Sequence, residues 1–286
     1  MEQPGAVELP ASSTPNAARI YSYTLGGSYY LQVDKAAAEY MFSLVPSTPK
    51  WVRMLRAFLQ HAARRLWAEG LTHFVDFASG LPTDDHIHHV LPDARIVYSD
   101  LDPDTYQLAQ RLVGHLPNVL YLKCDVREAR SLLESPEVQT FLGGERRVAF
   151  GLNGITVFLS PEEITRLFHD LYEWAAPGSR LYITYETKLP GLMTPRMEQF
   201  IEMFRQAGSP FWLYSLEECI ELSRPWHIPP TGLMPLHQFL GLPDDYVTET
   251  DQEGVGLQFY AAILAKPLER NDSLNERDPF RWTRDP

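Results

Sequence analysis

The sequence predicts an α/β fold, a doubly wound and largely parallel sheet behind an N-terminal run of helices. Three observations carry this. Phe74-Val75-Asp76-Phe77-Ala78-Ser79-Gly80-Leu81-Pro82-Thr83 is an apolar run with one acid that breaks into small residues. Ile96-Val97-Tyr98-Ser99-Asp100-Leu101-Asp102-Pro103 is a second apolar run ending in an acid. From Leu71 onward, short apolar runs alternate with helix-length amphipathic segments, as strands buried on both faces do when helices cover the sheet.

In chain order, residues 1–14 are rich in Pro, Ser and Ala and are expected to be flexible. Residues 15–70 form a helical extension. Pro15 opens a short amphipathic helix that runs to Tyr23 and ends at Gly26-Gly27. A second helix covers 34–44, with Ala36, Tyr40 and Phe42 among its packing positions, and Pro46 and Pro49 break it. A long helix covers 51–69, where Trp51, Leu55, Phe58, Leu59, Ala62 and Leu66 recur at helical spacing and Gly70 caps the end. Arg53, Arg56, Arg64 and Arg65 on this helix read as a solvated face. Residues 71–267 form the core. Strands are expected at 72–78, 95–101, 118–123, 147–153 and 179–187, and helices at 85–90, 103–113, 134–142, 161–174, 194–206 and 215–222. A last strand pair is expected at 226–229 and 257–265. Residues 268–286 are a charged tail carrying Pro279, Phe280 and Trp282. No linker or internal repeat divides the chain, which therefore reads as one domain.

Ligands of such sheets bind at the carboxyl ends of the strands. That rule gathers Ala78, Ser79, Gly80 and Thr83 of the first turn, Asp100 with Leu101, Asp125 with Val126, and Asn153 around one pocket. The turn chooses among cofactors. A pyrophosphate needs Gly-x-Gly-x-x-Gly with free N–H groups. Here Pro82 has no N–H and the third glycine is missing. An NAD-linked reductase is disfavoured, whereas S-adenosylmethionine (SAM), which has no pyrophosphate, fits. Asp100 can accept from both ribose hydroxyls. Asp125 can accept from the adenine amino group with the Val126 N–H donating to the ring, or it is a helix N-cap. Asn153 can bond the SAM amino group or a substrate, or it is a turn residue before Gly154.

With these residues the chain resembles the S-adenosyl methyltransferase family of class I fold whose substrate is unassigned, long called a domain of unknown function. The resemblance runs from Pro15 to Thr187 and more loosely to Pro267. Its motifs stand as Pro15-Asn16-Ala17-Ala18-Arg19-Ile20-Tyr21-Ser22-Tyr23-Thr24-Leu25-Gly26-Gly27, the first turn, Asp85-His86-Ile87-His88 and Val97–Pro103. The Arg-x-Tyr-x-Tyr-x-Leu-Gly-Gly run is the most specific. The resemblance implies a Rossmann-like, seven-stranded sheet whose final strand inserts antiparallel. It also implies a methyltransferase that uses SAM and yields S-adenosylhomocysteine. The chain departs from the family at Ser22 (usually an acid), Ala78 (usually Gly), Tyr29-Tyr30 (usually a Lys-Asp pair after Gly-Gly) and His86 (commonly Asn).

Arg19 and Tyr21 are expected to reach the cofactor if the N-terminal segment folds over the pocket as a lid. The other reading of Tyr21, Tyr23, Tyr29 and Tyr30 is packing of a helix on the core. His88 falls on the family's histidine position and is expected at the SAM carboxylate or the substrate. Methyl transfer from a sulfonium is an in-line displacement that needs a base only if the acceptor loses a proton. His88, Tyr30 and Asn153 are the candidates beside the acceptor, with His86 a further possible base.

Other chemistries fit poorly. The run Asp84-Asp85-His86-Ile87-His88-His89 lacks a second ligand cluster, so no metal is expected. Ala78-Ser79-Gly80 lacks the frame of a serine nucleophile elbow. A net charge of −12 with scattered basic residues speaks against nucleic acid as partner. No apolar run is long enough to span a bilayer, Met1–Gly5 does not open a secretory signal, and Cys124 and Cys219 form no metal spacing. The expectation is a cytoplasmic enzyme acting on a small-molecule substrate. The alternative is a SAM-binding protein without transferase activity.

Overall fold

The structure is a computed structural model that describes residues 9, 11–83, 85–189, 191, 193–253 and 256–268. All of the expected tail at 268–286 beyond Leu268, most of the expected flexible N-terminus, and Asp84 lie outside the described residues. Three helices come first: α1 (Ala17–Thr24), α2 (Gln32–Leu44) and α3 (Thr48–Ala68). The core then runs β1 (His73–Asp76), α4 (Ile87–Val90), β2 (Arg95–Asp100), α5 (Pro103–Val113), β3 (Val119–Lys123), α6 (Ala129–Glu134), α7 (Pro136–Leu142), β4 (Ala149–Leu152), α8 (Pro161–Trp174) and β5 (Arg180–Lys188). It closes with α9 (Pro195–Gln206), α10 (Leu216–Leu222), β6 (Met234–Pro235), α11 (Leu236–Phe239), α12 (Glu249–Glu253) and β7 (Leu257–Ala265).

The seven strands form one sheet in the order β3-β2-β1-β4-β5-β7-β6. β1 to β5 are mutually parallel, and β7 inserts antiparallel between β5 and β6. The strand order reverses between β1 and β4, which opens a crevice at their carboxyl ends. Alternation along the strands splits the core. Phe74, Ile96, Tyr98 and Tyr182 pack with Trp51, Leu55, Phe58 and Leu59 of α3 on one face. Val75, Val97, Phe150 and Ile183 pack with Ile164, Leu167, Phe168 and Leu171 of α8 on the other. Each such side chain contributes about 1.5–3 kcal/mol of burial, far more than helix propensity does. Ends are set locally. Asp102 caps α5 before Pro103, and Ser160 with Glu163 forms a capping box on α8.

Two sequence expectations are corrected. Residues 226–229 are not a strand; His227 makes a single bridge to Ala265, and the edge strand is Met234–Pro235. Pro225, Pro229 and Pro230 lack N–H groups, so this stretch cannot sustain a ladder. The helix expected at 134–142 starts at Pro136 as α7, and a separate helix, α6 (Ala129–Glu134), precedes it. Pro136 cannot continue α6, and Ser135 instead caps α7 by accepting from the Val138 N–H.

Within the helical extension, α1 is tied to the start of α2 through one buried carboxylate. Asp34 Oδ1 accepts from the Asn16 N–H at 2.8 Å; its Oδ2 accepts from Arg19 Nε and from the Leu31 N–H, each at 2.7 Å. Asn16 in turn donates from Nδ2 to Asp102 Oδ1 at 2.7 Å and to Thr105 Oγ1 at 3.1 Å. The start of α1 is thereby tied to the start of α5. Asp34→Ala would leave the buried Arg19 Nε and the Asn16 and Leu31 N–H groups unpaired. Urea unfolding should show a loss of about 3–5 kcal/mol. A loss within the error of the measurement would show that α1 is held by packing alone.

Candidate functional site

The first turn is stitched down on every side. Ser79 Oγ donates to the Asp76 carbonyl at 2.6 Å, and the Ser79 N–H donates to the Ser99 carbonyl at 2.8 Å. Tyr121 Oη donates to the Gly80 carbonyl at 2.7 Å. The Gly80 N–H donates to Asp100 Oδ2 at 3.1 Å, and the Asp102 N–H donates to Asp100 Oδ1 at 3.0 Å. Asp100 thus stands against the turn with one donor on each oxygen and remaining lone pairs on both. Burial raises its carboxyl, against the bonds from Asp102 and Gly80. Leu101 beside it is 53% exposed, an apolar face left open next to the acid. Ala78 has φ +50°, the one non-glycine residue with positive φ among the described residues. The turn needs the left-handed conformation there, which fits the family's glycine. Above the turn, Ala18 of α1 lies over Gly80; a Cβ built on Gly80 would stand 3.6 Å from the Ala18 Cβ.

Asp76 at the end of β1 is buried and accepts from Tyr182 Oη at 2.5 Å. Burial pushes its carboxyl up to about 6, against that bond and Ser79. Their contact fills the space beside Gly151, where any Cβ would overlap both side-chain oxygens. His86 and His88 both meet Tyr98. The Ile87 N–H donates to His86 Nδ1, so the His86 proton sits on Nε2, facing the Ser79 carbonyl at 3.3 Å. Burial and then Arg56 hold His86 well below the usual histidine range. Burial, His89 and Arg56 push His88 down to about 4. His88 is therefore a neutral, inward-facing side chain rather than a cation. Asp125 caps the 3-10 turn Val126–Glu128, accepting from the Arg127 N–H at 3.0 Å and from Arg127 Nε. Burial raises it, but the Arg127 bonds win and lower its carboxyl. Val126 is buried in the core cluster under α8. Thr83 Oγ1 donates to Asp85 at 2.9 Å.

On the β4 side, Asn153 Nδ2 donates to the Leu55 carbonyl of α3 at 3.1 Å, and Asn153 Oδ1 accepts from Thr184 Oγ1 at 3.2 Å. Asn153 therefore joins α3 to β4 and β5. Next to it lies Glu186, buried, accepting from Thr156 Oγ1 at 3.3 Å. Burial pushes Glu186 up to about 7, against its own N–H and Thr156. Tyr21 of α1 closes this region: Tyr21 Oη donates to the Val52 carbonyl at 3.3 Å, and its ring lies 5.4 Å from the Arg56 guanidinium. Arg19, by contrast, is committed to Asp34. Tyr30 stacks edge-on against Tyr23 at 4.8 Å.

The structure brings the first turn, Asp100 and Leu101 together, and seats Tyr21 and Asn153 against α3. It places Arg19, Tyr30 and His88 in packing or ion-pair roles. Sequence reasoning missed Asn16, Asp34, Arg56 and Glu186. For Arg56 a signal existed: it lies four residues after Val52 and three before Leu59, on the inward side of α3 rather than among solvated arginines. Glu186 was legible only as an acid inside an apolar strand. Among the described residues no group of three or more His, Cys, Asp or Glu side chains could hold a metal ion, and no helix is long and apolar enough to cross a membrane.

Two consequences are measurable. Ala78→Gly removes roughly 1–2 kcal/mol of left-handed strain and returns part of it as chain entropy. The urea midpoint should rise, by a net gain of about 0.5–1 kcal/mol; an unchanged or lower midpoint would refute the strain. Glu186 holds its proton more tightly folded than unfolded. Its contribution to stability is whole below the ordinary glutamate range and is lost as pH rises through about 7. The loss is on the order of 3 kcal/mol. Glu186→Gln should thus match the wild type near pH 4 and become progressively more stable than it toward pH 8 in thermal melts. A pH-independent difference would show that Glu186 is not held protonated.

Comparisons with known proteins agree with the fold. No curated protein matches the sequence. A "putative methyltransferase" of Thermobifida fusca YX is 27% identical, with 89% of this chain and 96% of that one covered at a TM-score of 0.77. A DUF574 family protein of Streptomyces avermitilis MA-4680 is 25% identical, with 88% of this chain and 98% of that one covered at 0.76. The profile of the S-adenosyl methyltransferase family matches residues 6–267. Nearly the whole chain, helical extension included, follows that pattern, and the protein belongs to the S-adenosyl methyltransferase family.

Proposed function

We propose that the protein transfers a methyl group from SAM to a small-molecule acceptor held beneath α3. The observation that carries this is the Asp100 carboxylate, held against the Gly80 turn at the carboxyl ends of β1 and β2, with Leu101 exposed beside it. Asp100 is the group for the ribose hydroxyls, Leu101 offers an apolar face to the adenine, and Gly80 lets the backbone come close. Asp125 and Val126 stand at the adenine side. The residues present fit the cofactor: one acid with free lone pairs, one glycine without Cβ, and one exposed apolar side chain meet at the carboxyl ends of β1 and β2, beside the topological switch point.

When bound, SAM supplies a methyl carbon already activated by a sulfonium. The chain's own task is then alignment and exclusion of water. Asn153, Thr156 and Glu186 line the β4–β5 side under α3, and Tyr21 lies against α3 beside Arg56. Groups this enclosed favour a small acceptor over a macromolecule, and the net charge of −12 points the same way against nucleic acid. If the acceptor is an N–H or O–H group, the Glu186 carboxylate is the base to take its proton. Its position near neutrality suits that role. His88, at about 4, is a far weaker base at neutral pH.

Titration calorimetry with S-adenosylhomocysteine tests the reading. The wild type should bind, and Asp100→Ala should weaken binding roughly 10- to 150-fold, the loss expected for hydrogen bonds to a charged group. A folded Asp100→Ala variant with undiminished affinity would remove Asp100 from the site.

A further inference from the structure

Arg56 is a buried cation whose hydrogen-bonding donors the fold leaves unfilled. Its residue exposure is 7%, and both Nε and Nη1 are buried without a hydrogen-bond partner. Asp85 Oδ1 lies 3.4 Å from Nη1, within ion-pair distance but without hydrogen-bond geometry, and Asp85 is itself partly exposed and occupied by Thr83. The Tyr21 ring covers one face of the guanidinium. Two buried N–H donors left open on a fixed charge are costly, and chains keep such groups paired. A ligand carboxylate lowers that cost: its two oxygens match the Nη1–Nη2 end of the guanidinium with two parallel bonds.

The position of Arg56 says which carboxylate. With the ribose at Asp100 on β2 and the base toward β3, the 5′ end of the nucleoside points across β1 toward β4. α3 crosses at that seam: the Leu55 carbonyl accepts from Asn153 after β4, and Gln60 Nε2 donates to the Asp85 carbonyl after the first turn, at 2.7 Å. Arg56 lies between these two anchors on the same helix. Its charge reaches Asp76 and His86, which flank the first turn.

We propose that Arg56 is the anchor for the α-carboxylate of the cofactor's amino-acid tail. This rests on the SAM reading above. Asp100 and Arg56 then hold the two ends of one ligand and fix the sulfonium between them, ahead of Asn153 and Glu186. Arg19, tied to Asp34, does not share the task.

The test compares two probes by titration calorimetry on the full chain. S-adenosylhomocysteine carries the tail; 5′-methylthioadenosine has the same adenosine and a thioether but no carboxylate. The wild type should bind S-adenosylhomocysteine more tightly. Arg56→Met, which keeps the packing stem, should weaken S-adenosylhomocysteine roughly 10- to 150-fold while changing 5′-methylthioadenosine by less than about threefold. Arg56→Lys, which keeps the charge and loses the fork, should fall between, and it serves as the folded control if Arg56→Met melts early. Equal losses for both probes, or an unchanged S-adenosylhomocysteine affinity in either folded variant, overturn the assignment. A wild type that binds neither probe overturns the cofactor reading itself, an outcome separate from both.

Discussion

The buried Asp34 carboxylate is the interaction on which the rest of the site depends. It takes the Arg19 guanidinium and the N–H groups of Asn16 and Leu31, and so fixes the path of the chain around α1. Asn16 passes that fixation to Asp102, and Asp102 passes it through its own N–H to Asp100. A continuous chain of hydrogen bonds therefore runs from the helical extension to the acid at the end of β2. Without Asp34 the sheet could form from its own apolar pattern, but Ala18 over Gly80 and Tyr21 beside Arg56 would be left to packing and to the Asn16 and Tyr21 hydrogen bonds alone. Breaking such a buried pair costs far more than the pair's net worth, because the remaining charge has no water to return to.

The electrostatics of the crevice are arranged around few charges. The sheet side is neutralised by burial: Asp76 and Glu186 hold protons into ranges where carboxyls are normally ionised, and His86 and His88 refuse theirs. Arg56 is the buried cation left facing this region with open donors. Its presence helps explain the histidines, since a like charge in a poorly solvated setting disfavours imidazolium. The departure of His86 from the family's asparagine does not add a charge. The ring acts as an uncharged acceptor for the Ile87 N–H and as a neighbour of Tyr98.

The sheet was legible in the sequence because its strands are buried on both faces and punctuated by acids and small residues. β2 and α5 begin where expected, and the Gly80 turn and Asp100 stand together. What was not legible depended on contacts distant in the chain. Asn16 to Asp102 spans 86 positions and Asn153 to Leu55 spans 98. No local pattern marks Asp34 as a hub rather than an exposed acid on an amphipathic helix. Arg56 was misread because arginines cluster on α3 and only one turns inward. The strand expected at 226–229 failed for the opposite reason: its apolar residues suited a strand, but the prolines around them withheld the donors.

Gly151 carries a consequence for how this sequence can change over generations. Its missing side chain makes room for the contact between Asp76 and Tyr182, and both oxygens occupy the position a methyl group would take. Tyr182→Phe alone leaves the ring Cζ as well as the Asp76 oxygen in the way, and Asp76→Ala alone leaves the whole Tyr182 ring end, so residue 182 must become smaller than Phe. Any larger residue at 151 must therefore come last, after both partners have been cut back. The three positions form an ordered lineage constraint: single steps at 151 are closed, and the history of the other two decides when it opens.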